Sequence, residues 1–326
     1  MVSDAFDKKL ENLKRVKYIV SILTKQGFGY FIERLNLKRY IPFKERIKLG
    51  KEKKEKKSAP VRLRLALEEL GPTFVKFGQL LSTRPDIIPE DFIKELSKLQ
   101  DNVPPFSYRQ VEEQIKKELG KPINEIFLYF DKKPIASASI GQVHEAKLKN
   151  GKKVAVKVQR PDIEKTINED LDILTFFADI VDKHMPKFKI YNPKGLVEEF
   201  KKTIKKELNY RIEANNICRF YQNFKDSKTV VVPKVYQEYS TKKVLTMSFI
   251  EGTKISELWR IKEKWLNKKV IAKNGANAFF KQILIDGFFH ADPHPGNIFV
   301  LKNNVCLLYT SPSPRDLSTS RMPSSA

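Results

Sequence analysis

The stretch from Pro134 to Gln159 constrains the fold more than any other part of the chain. It holds two β-prone runs, Gln142 to Leu148 and Lys152 to Gln159, on either side of Asn150-Gly151. An Asn-Gly pair supplies the positive-φ residues of a tight hairpin turn whose twist matches that of the flanking strands. The preceding segment, Pro134-Ile-Ala-Ser-Ala-Ser-Ile-Gly-Gln-Val143, is rich in small residues. Small residues suit a loop whose backbone amides approach an anion's oxygens, and alanine nearly meets that need while stiffening the loop. On the second strand, Val154-Ala-Val-Lys157 adds a cation. A lysine at the surface of a strand is the ordinary alternative. Lys157, however, follows a small-residue loop and a hairpin, an order that suits a phosphate-binding cation.

A second constraint comes late in the chain. His290-Ala-Asp-Pro-His-Pro-Gly-Asn297 sets Asp292 five residues ahead of Asn297, between an apolar helical run (276–289) and a β-prone one (298–301). In phosphoryl-transfer loops of this spacing the acid faces the attacking hydroxyl or water, and the amide turns back to hold Mg2+. Two other readings are open for the loop by itself. His290, Asp292 and His294 alternate as zinc or iron ligands would, and the segment also reads as a Pro-rich turn with incidental polar residues. Pro293 and Pro295 prevent the regular strand on which such ligands would alternate.

The chain carries 62 Lys and Arg against 39 Asp and Glu, a formal net charge of +23, with lysine dense between Lys44 and Lys57. Such a field favours membrane headgroups, nucleic acid or phosphorylated ligands; a solvated lysine-rich linker is the plain alternative. Interspersed glutamates, and the lack of zinc-finger spacing or an aromatic RNA-stacking motif, argue against nucleic acid. Two cysteines, Cys218 and Cys306, cannot build a disulfide framework, so a reducing, cytoplasmic compartment is expected. The polar start does not read as a signal peptide, and no apolar run reaches the roughly 18 to 20 residues needed to cross a bilayer.

Periodicity and stop signals predict the remaining elements. A helix, a Gly27-Phe-Gly29 turn and a second short helix span residues 13–40, either packed on the core or lying on a membrane. A helix over 61–70 ends at Gly71-Pro72, and the next, over 73–83, carries Lys76 and Gln79 on one face. Further helices are expected over 91–99, over 108–119 between Ser107 and Gly120, over 162–184, and from Pro193 with Val197, Phe200, Ile204, Leu208 and Ile212 along one stripe. Glu207 and Glu213 lie near that stripe. A helical glutamate should fix the Lys157 ammonium, and either could serve, or could be an exposed surface acid; Glu207 is the candidate. Val230 to Tyr236 and Lys243 to Phe249 read as the remaining strands of a five-stranded sheet.

The loop compares with the kinase pattern G-x-G-x-x-G-x-V, with Ala136, Ala138, Gly141 and Val143 in the patterned places, and Val154-Ala-Val-Lys157 with V-A-I-K. On that comparison Met247 lines an adenine pocket, and the backbone of Ser248 to Ile250 bonds the adenine edge. Taken in order, the motifs resemble those of the UbiB family of atypical kinase-like ATPases, the aarF-domain-containing kinases. They are Gly27-Phe-Gly29, Lys76-Phe-Gly-Gln79, Ala136 to His144, Val154 to Lys157, Glu207-Leu-Asn-Tyr210 with Glu213-Ala214, and His290 to Asn297.

The resemblance implies an α+β, protein-kinase-like bilobal fold: a five-stranded N-lobe sheet, a helical N-terminal extension and an incomplete helical C-lobe. The implied divisions are a basic N-terminal region (1–59), the extension (60–128), the N-lobe (129–250), a partial C-lobe (251–308) and a tail (309–326). ATP and Mg2+ are the implied cofactors, with Ala136, Ser137, Ala138, Ser139, Gly141, Val143, Lys157, Met247 and Phe249 at the nucleotide and Asn297 at the metal. Asp292, Lys157 and Glu207 would be catalytic. Lys76, Gly78 and Gln79 would belong to an extension over the peptide site of an ordinary kinase, with Glu213 a plausible partner of Lys76.

The implied role is a lipid or small-molecule kinase or ATPase in ubiquinone biosynthesis. Its implied partners are an anionic membrane surface and quinone-pathway intermediates or enzymes, at the inner face of the bacterial cytoplasmic membrane. A nucleotide-binding pseudokinase, or a chaperone of lipid or partner enzymes without phosphoryl transfer, is the alternative.

The resemblance stops after Leu308. Where a kinase-like chain carries Asp-Phe-Gly, this one reads Tyr309-Thr-Ser and continues through a Ser- and Pro-rich tail, expected to be disordered and foreign to the family.

Overall fold

The computed structural model describes residues 2–41, 57–99, 103–260, 267–289, 298–301 and 306–308. In chain order its helices are α1 (Val2–Lys25), α2 (Gly29–Arg34), α3 (Ala59–Leu70), α4 (Pro72–Leu81), α5 (Glu90–Leu96), α6 (Tyr108–Leu119), α7 (Ile123–Ile126), α8 (Ile163–His184), α9 (Pro193–Glu207), α10 (Tyr210–Phe224) and α11 (Lys268–Phe280). The strands are β1 (Phe127–Phe130), β2 (Ala136–Ser137), β3 (Gly141–Leu148), β4 (Lys153–Gln159), β5 (Val230–Val231), β6 (Val244–Ser248), β7 (Thr253–Lys254), β8 (Ile298–Val300) and β9 (Cys306–Leu308).

The chain divides into two compact units, Met1–Val103 with Asp162–Ile204, and Pro104–Pro161 with Lys205–Ala326. Residues 104–128, read from sequence with the helical extension, group with the sheet because Val111 and Ile115 of α6 enter its core.

The first unit is helical. Gly27 (φ +80) makes the expected turn between α1 and α2. Gly71 (φ +101) takes a conformation that other residues resist, and Pro72 opens α4 directly behind it. Arg15 on α1 donates to Asp170 on α8 and to the Leu70 carbonyl at the end of α3, so one side chain ties three helices. In this unit Ile19, Val20, Leu70, Phe74 and Leu171 are buried. Among the described residues no helix is long and apolar enough to cross a membrane.

The second unit is built on a five-stranded antiparallel sheet ordered β1-β3-β4-β6, with β2 also on β3. Gly151 (φ +83) closes the β3–β4 hairpin as Asn150-Gly151 predicts. Ala146, Leu148, Val154, Val156, Val158 and Val244 bury one face under α6. That helix starts with Ser107 and Gln110 capping each other and ends at left-handed Gly120. The result is a mixed α and β, protein-kinase-like arrangement.

The strand inventory differs from expectation at one point. Val230–Val231 pairs with Cys306–Leu308 in a second sheet, ordered β5-β9-β8-β7, while Val235 forms an isolated bridge to Met247 on β6. Pro233 between the two pieces cannot supply a ladder hydrogen bond, so the run breaks there. The short strands β1 and β2 complete the first sheet instead.

Candidate functional site

In paired antiparallel strands, directly opposed residues share a face. Register therefore places Val143, Lys157 and Leu245 in one row across β3, β4 and β6, and Glu145, Ala155 and Met247 in the next. This is the face opposite the α6 core, and α10 supplies its partners. Lys157 Nζ lies 2.7 Å from Glu213 Oε2 and 4.6 Å from the centre of the Tyr210 ring. Glu213 is 1 % exposed while Lys157 keeps 17 %, so the cation is open from one side and anchored from the other. Burial pushes the Glu213 carboxyl above its usual range, and the adjacent Lys157 ammonium acts against that rise.

The glutamate that holds Lys157 is therefore Glu213 and not Glu207. The reason is a break in what reads as one continuous helix. Helix α9 stops at Glu207, Asn209 turns extended (φ −112, ψ 92) and its side chain caps a new helix. Gln159 Nε2 holds the Leu208 carbonyl at 2.8 Å and the Tyr210 amide donates to Lys242, so the restart is tied down from two sides. Phase is reset at the break. Tyr210 and Glu213, three apart on α10, then share the face that meets Lys157. Glu207 is buried at the end of α9.

The small-residue loop is held tightly. The amide of Ile135 donates to Val143 and that of Ala138 to Gly141, both at 2.8 Å. The Ala138 amide is thus engaged within the loop. Ala136 is exposed, Ser137, Ala138 and Val143 are half-buried, and Ser139 is buried. A Cβ at Gly141 would sit 2.5 Å from the Val158 carbonyl oxygen and closer still to the Tyr210 hydroxyl. Gly141 is accordingly demanded by what lies beneath it. Tyr210 closes the Glu207-Leu-Asn-Tyr210 motif, and its three-residue spacing to Glu213 is the sequence signal that it shares this face.

Near the end of β6, Met247 of the second row is fully buried. The Ser248 and Phe249 amides donate to Lys234 and Lys153. These two amides are thus bound within the protein. Phe249 is half-buried with Lys153 Nζ 4.2 Å over its ring. Past it, Gly252 allows close approach to Phe299 and Val300, and Thr253 and Lys254 pair with Val300 and Phe299. The strand that follows the Asp-x4-Asn loop is therefore fastened to the segment leaving β6. His290, Asp292, His294 and Asn297 themselves lie outside the described residues, as do residues 309–326.

The remaining motif belongs to the helical unit. On α4, Lys76 is 7 % exposed, Gly78 leaves room for the side chains of Leu67 and Leu99, and Gln79 Nε2 donates to the Leu99 carbonyl at 3.1 Å.

Residues 98–311 match the model of the ABC1 atypical kinase-like domain. A probable protein kinase UbiB of Marinobacter nauticus is 46% identical over 243 residues, covering 74% of this chain and 44% of the relative. The probable protein kinase UbiB of Aeromonas hydrophila is 43% identical over 296 residues, covering 89% and 54%. Among solved structures, Rv3197 of Mycobacterium tuberculosis, determined in complex with erythromycin, is 31% identical with a TM-score of 0.57, over 76% of this chain and 63% of that one. The chain spans about half the length of the curated relatives it matches. With the lysine, its helical glutamate and the small-residue loop in one unit, and with this domain matched over most of its length, the chain belongs to the UbiB family of ABC1 atypical kinase-like proteins.

Proposed function

We propose that the chain carries the nucleotide site of an ATP-dependent kinase or ATPase that acts on a small or lipid-linked substrate in ubiquinone biosynthesis, beside an anionic membrane surface. The observation that carries this reading is the Lys157–Glu213 pair, with Lys157 still part-exposed, on the sheet face opposite the α6 core. A phosphate fits that face in charge, because a lysine ammonium has three donors and Glu213 occupies one of them. Lys157 would hold the phosphates, Glu213 would hold Lys157, and the loop from Ala136 to Gly141 would border them. When bound with Mg2+, ATP supplies the transferable phosphoryl group. Asp292 would orient the attacking group and Asn297 would hold the metal. The large positive charge of the chain supports a partner surface rich in anionic lipid.

The test is MgATP binding and hydrolysis by the chain and its Lys157→Ala variant, each with and without anionic vesicles. Removing a charge-assisted hydrogen bond, about 1.5 to 3 kcal/mol, should weaken nucleotide binding by about tenfold or more. Equal affinity in the variant would end the reading. A pseudokinase that binds nucleotide without transfer is favoured by one observation, the reading Tyr309-Thr-Ser in place of Asp-Phe-Gly after Leu308. Binding without hydrolysis, in the presence of Mg2+, would select it.

A further inference from the structure

Tyr210 is a buried tyrosine doing something a core residue need not do. Its ring, 1 % exposed, lies 4.6 Å under the Lys157 ammonium, well inside the range at which a ring face attracts a cation. Its hydroxyl lies against Gly141, where the small-residue loop turns into β3, and has no hydrogen-bond partner among the described residues. The hydroxyl thus makes no bond to Lys157, and the contact with the cation is the ring face. The ring is held from the backbone, since the Tyr210 amide donates to the Lys242 carbonyl at 2.9 Å.

The two groups that hold Lys157 differ in a way that matters for an anion. Glu213 takes one of the ammonium donors through a directed hydrogen bond, whereas a ring face attracts the charge without taking any N–H. A phosphate approaching from the open side competes with Glu213 for donors. It does not compete with the ring.

We propose that Tyr210 is a positioning residue for Lys157, its ring the platform that keeps the ammonium in register with the loop at Gly141 while leaving its donors free for an anion. The proposal rests on Lys157 being a phosphate-binding cation, and its test separates the two claims. In the full chain, Tyr210→Phe keeps the ring, whereas Tyr210→Leu and the better space-filling Tyr210→Met remove it. Two measurements are made on each: acetylation of Lys157 by a small amine-acylating reagent without nucleotide, followed by mass spectrometry, and MgATP affinity.

Loss of the ring should raise Lys157 acetylation severalfold, relative to exposed lysines of the same molecule, and weaken MgATP binding by about five- to thirtyfold, the range for a partly desolvated cation on a ring face. Tyr210→Phe should match the wild type within about twofold on both. Where the substrate can be turned over, the loss should fall on KM more than on kcat. Wild-type acetylation in the Met or Leu variant, whichever keeps the wild-type Tm, would overturn the proposal, as would a Phe variant as impaired as Leu. A wild-type chain that binds no MgATP would refute the nucleotide reading, and the acetylation result would still decide the role of the ring.

Discussion

Asp170 in the helical unit and Glu213 in the sheet unit are both 1 % exposed, and each is held by a cation from another element. The two pairs are otherwise built differently. Arg15 gives Asp170 two hydrogen bonds, 2.8 and 3.2 Å, sends a third to the Leu70 carbonyl, and lies 5.5 and 5.7 Å from the ring centres of Tyr18 and Phe74. Glu213 receives one bond from Lys157, and its Oε1 has no partner among the described residues. A buried carboxylate oxygen left unsatisfied is expensive, and folding by itself gives no reason to keep it. The saturated pair reads as architecture, and the unsaturated pair as chemistry.

The contrast can be broken by removing each acid. Asp170→Ala strands Arg15 and the three-helix junction it ties, so unfolding stability should fall by about 3 kcal/mol, as for a buried pair that loses one partner. MgATP affinity measured on the folded fraction should not move. A urea-unfolding loss under about 1 kcal/mol would show that the Arg15 junction is ornamental.

Glu213→Gln should do the reverse. It removes a charge whose burial already raises its pKa, so the loss of one charge-assisted bond is offset by relief of desolvation, and stability should change by about 1 kcal/mol or less. The functional effect should be the larger one, a weaker hold on Lys157 read as lower MgATP affinity. If Glu213→Gln unfolds the chain as readily as Asp170→Ala, the two pairs do the same job and the distinction fails.

Much of this was legible where local chemistry decides structure. Asn150-Gly151 gave the hairpin, Ser107 and Gly120 the ends of α6, and Gly71-Pro72 the corner between α3 and α4, because turn and cap residues act within a few positions of themselves. Lys157 and the small-residue loop were legible for the same reason. The glutamate was assigned to the wrong residue because an apolar stripe from Val197 to Ile212 continues across a helix break. The only local sign of that break is Asn209, an N-cap residue lying inside the stripe. What sequence could not supply was long-range pairing: the union of Val230–Val231 with Cys306–Leu308, the Arg15–Asp170 tie across 155 positions, and the meeting of Tyr210 with Gly141. Each depends on the whole chain having closed.

His144 sharpens the comparison on the other face of the same sheet, because it is a buried titratable group whose partners are complete. The Phe106 amide donates to Gln142 Oε1 at 3.0 Å, which fixes the Gln142 amide so that its nitrogen points to the Phe106 carbonyl and to His144 Nε2, 2.9 Å away. Nε2 must therefore accept, and Nδ1 carries the proton and donates to the Asp131 carbonyl at 2.7 Å. This arrangement holds only for neutral imidazole, since a proton on Nε2 would face another donor. Burial lowers the His144 pKa, against the pull of the Asp131 carbonyl.

A folded pKa below the unfolded one means that the unfolded chain takes up the proton first as pH falls. The contribution is thus fully present above the ordinary imidazole pKa, about 6.5, and is lost as pH drops below it. Urea unfolding between about pH 7.5 and pH 5 should show wild-type stability falling along this limb. His144→Leu should begin lower, having orphaned the Gln142 amide, and should fall less steeply. Parallel slopes in the two proteins would mean that His144 titrates freely and that the Gln142–His144–Asp131 chain is not the closed network its geometry describes.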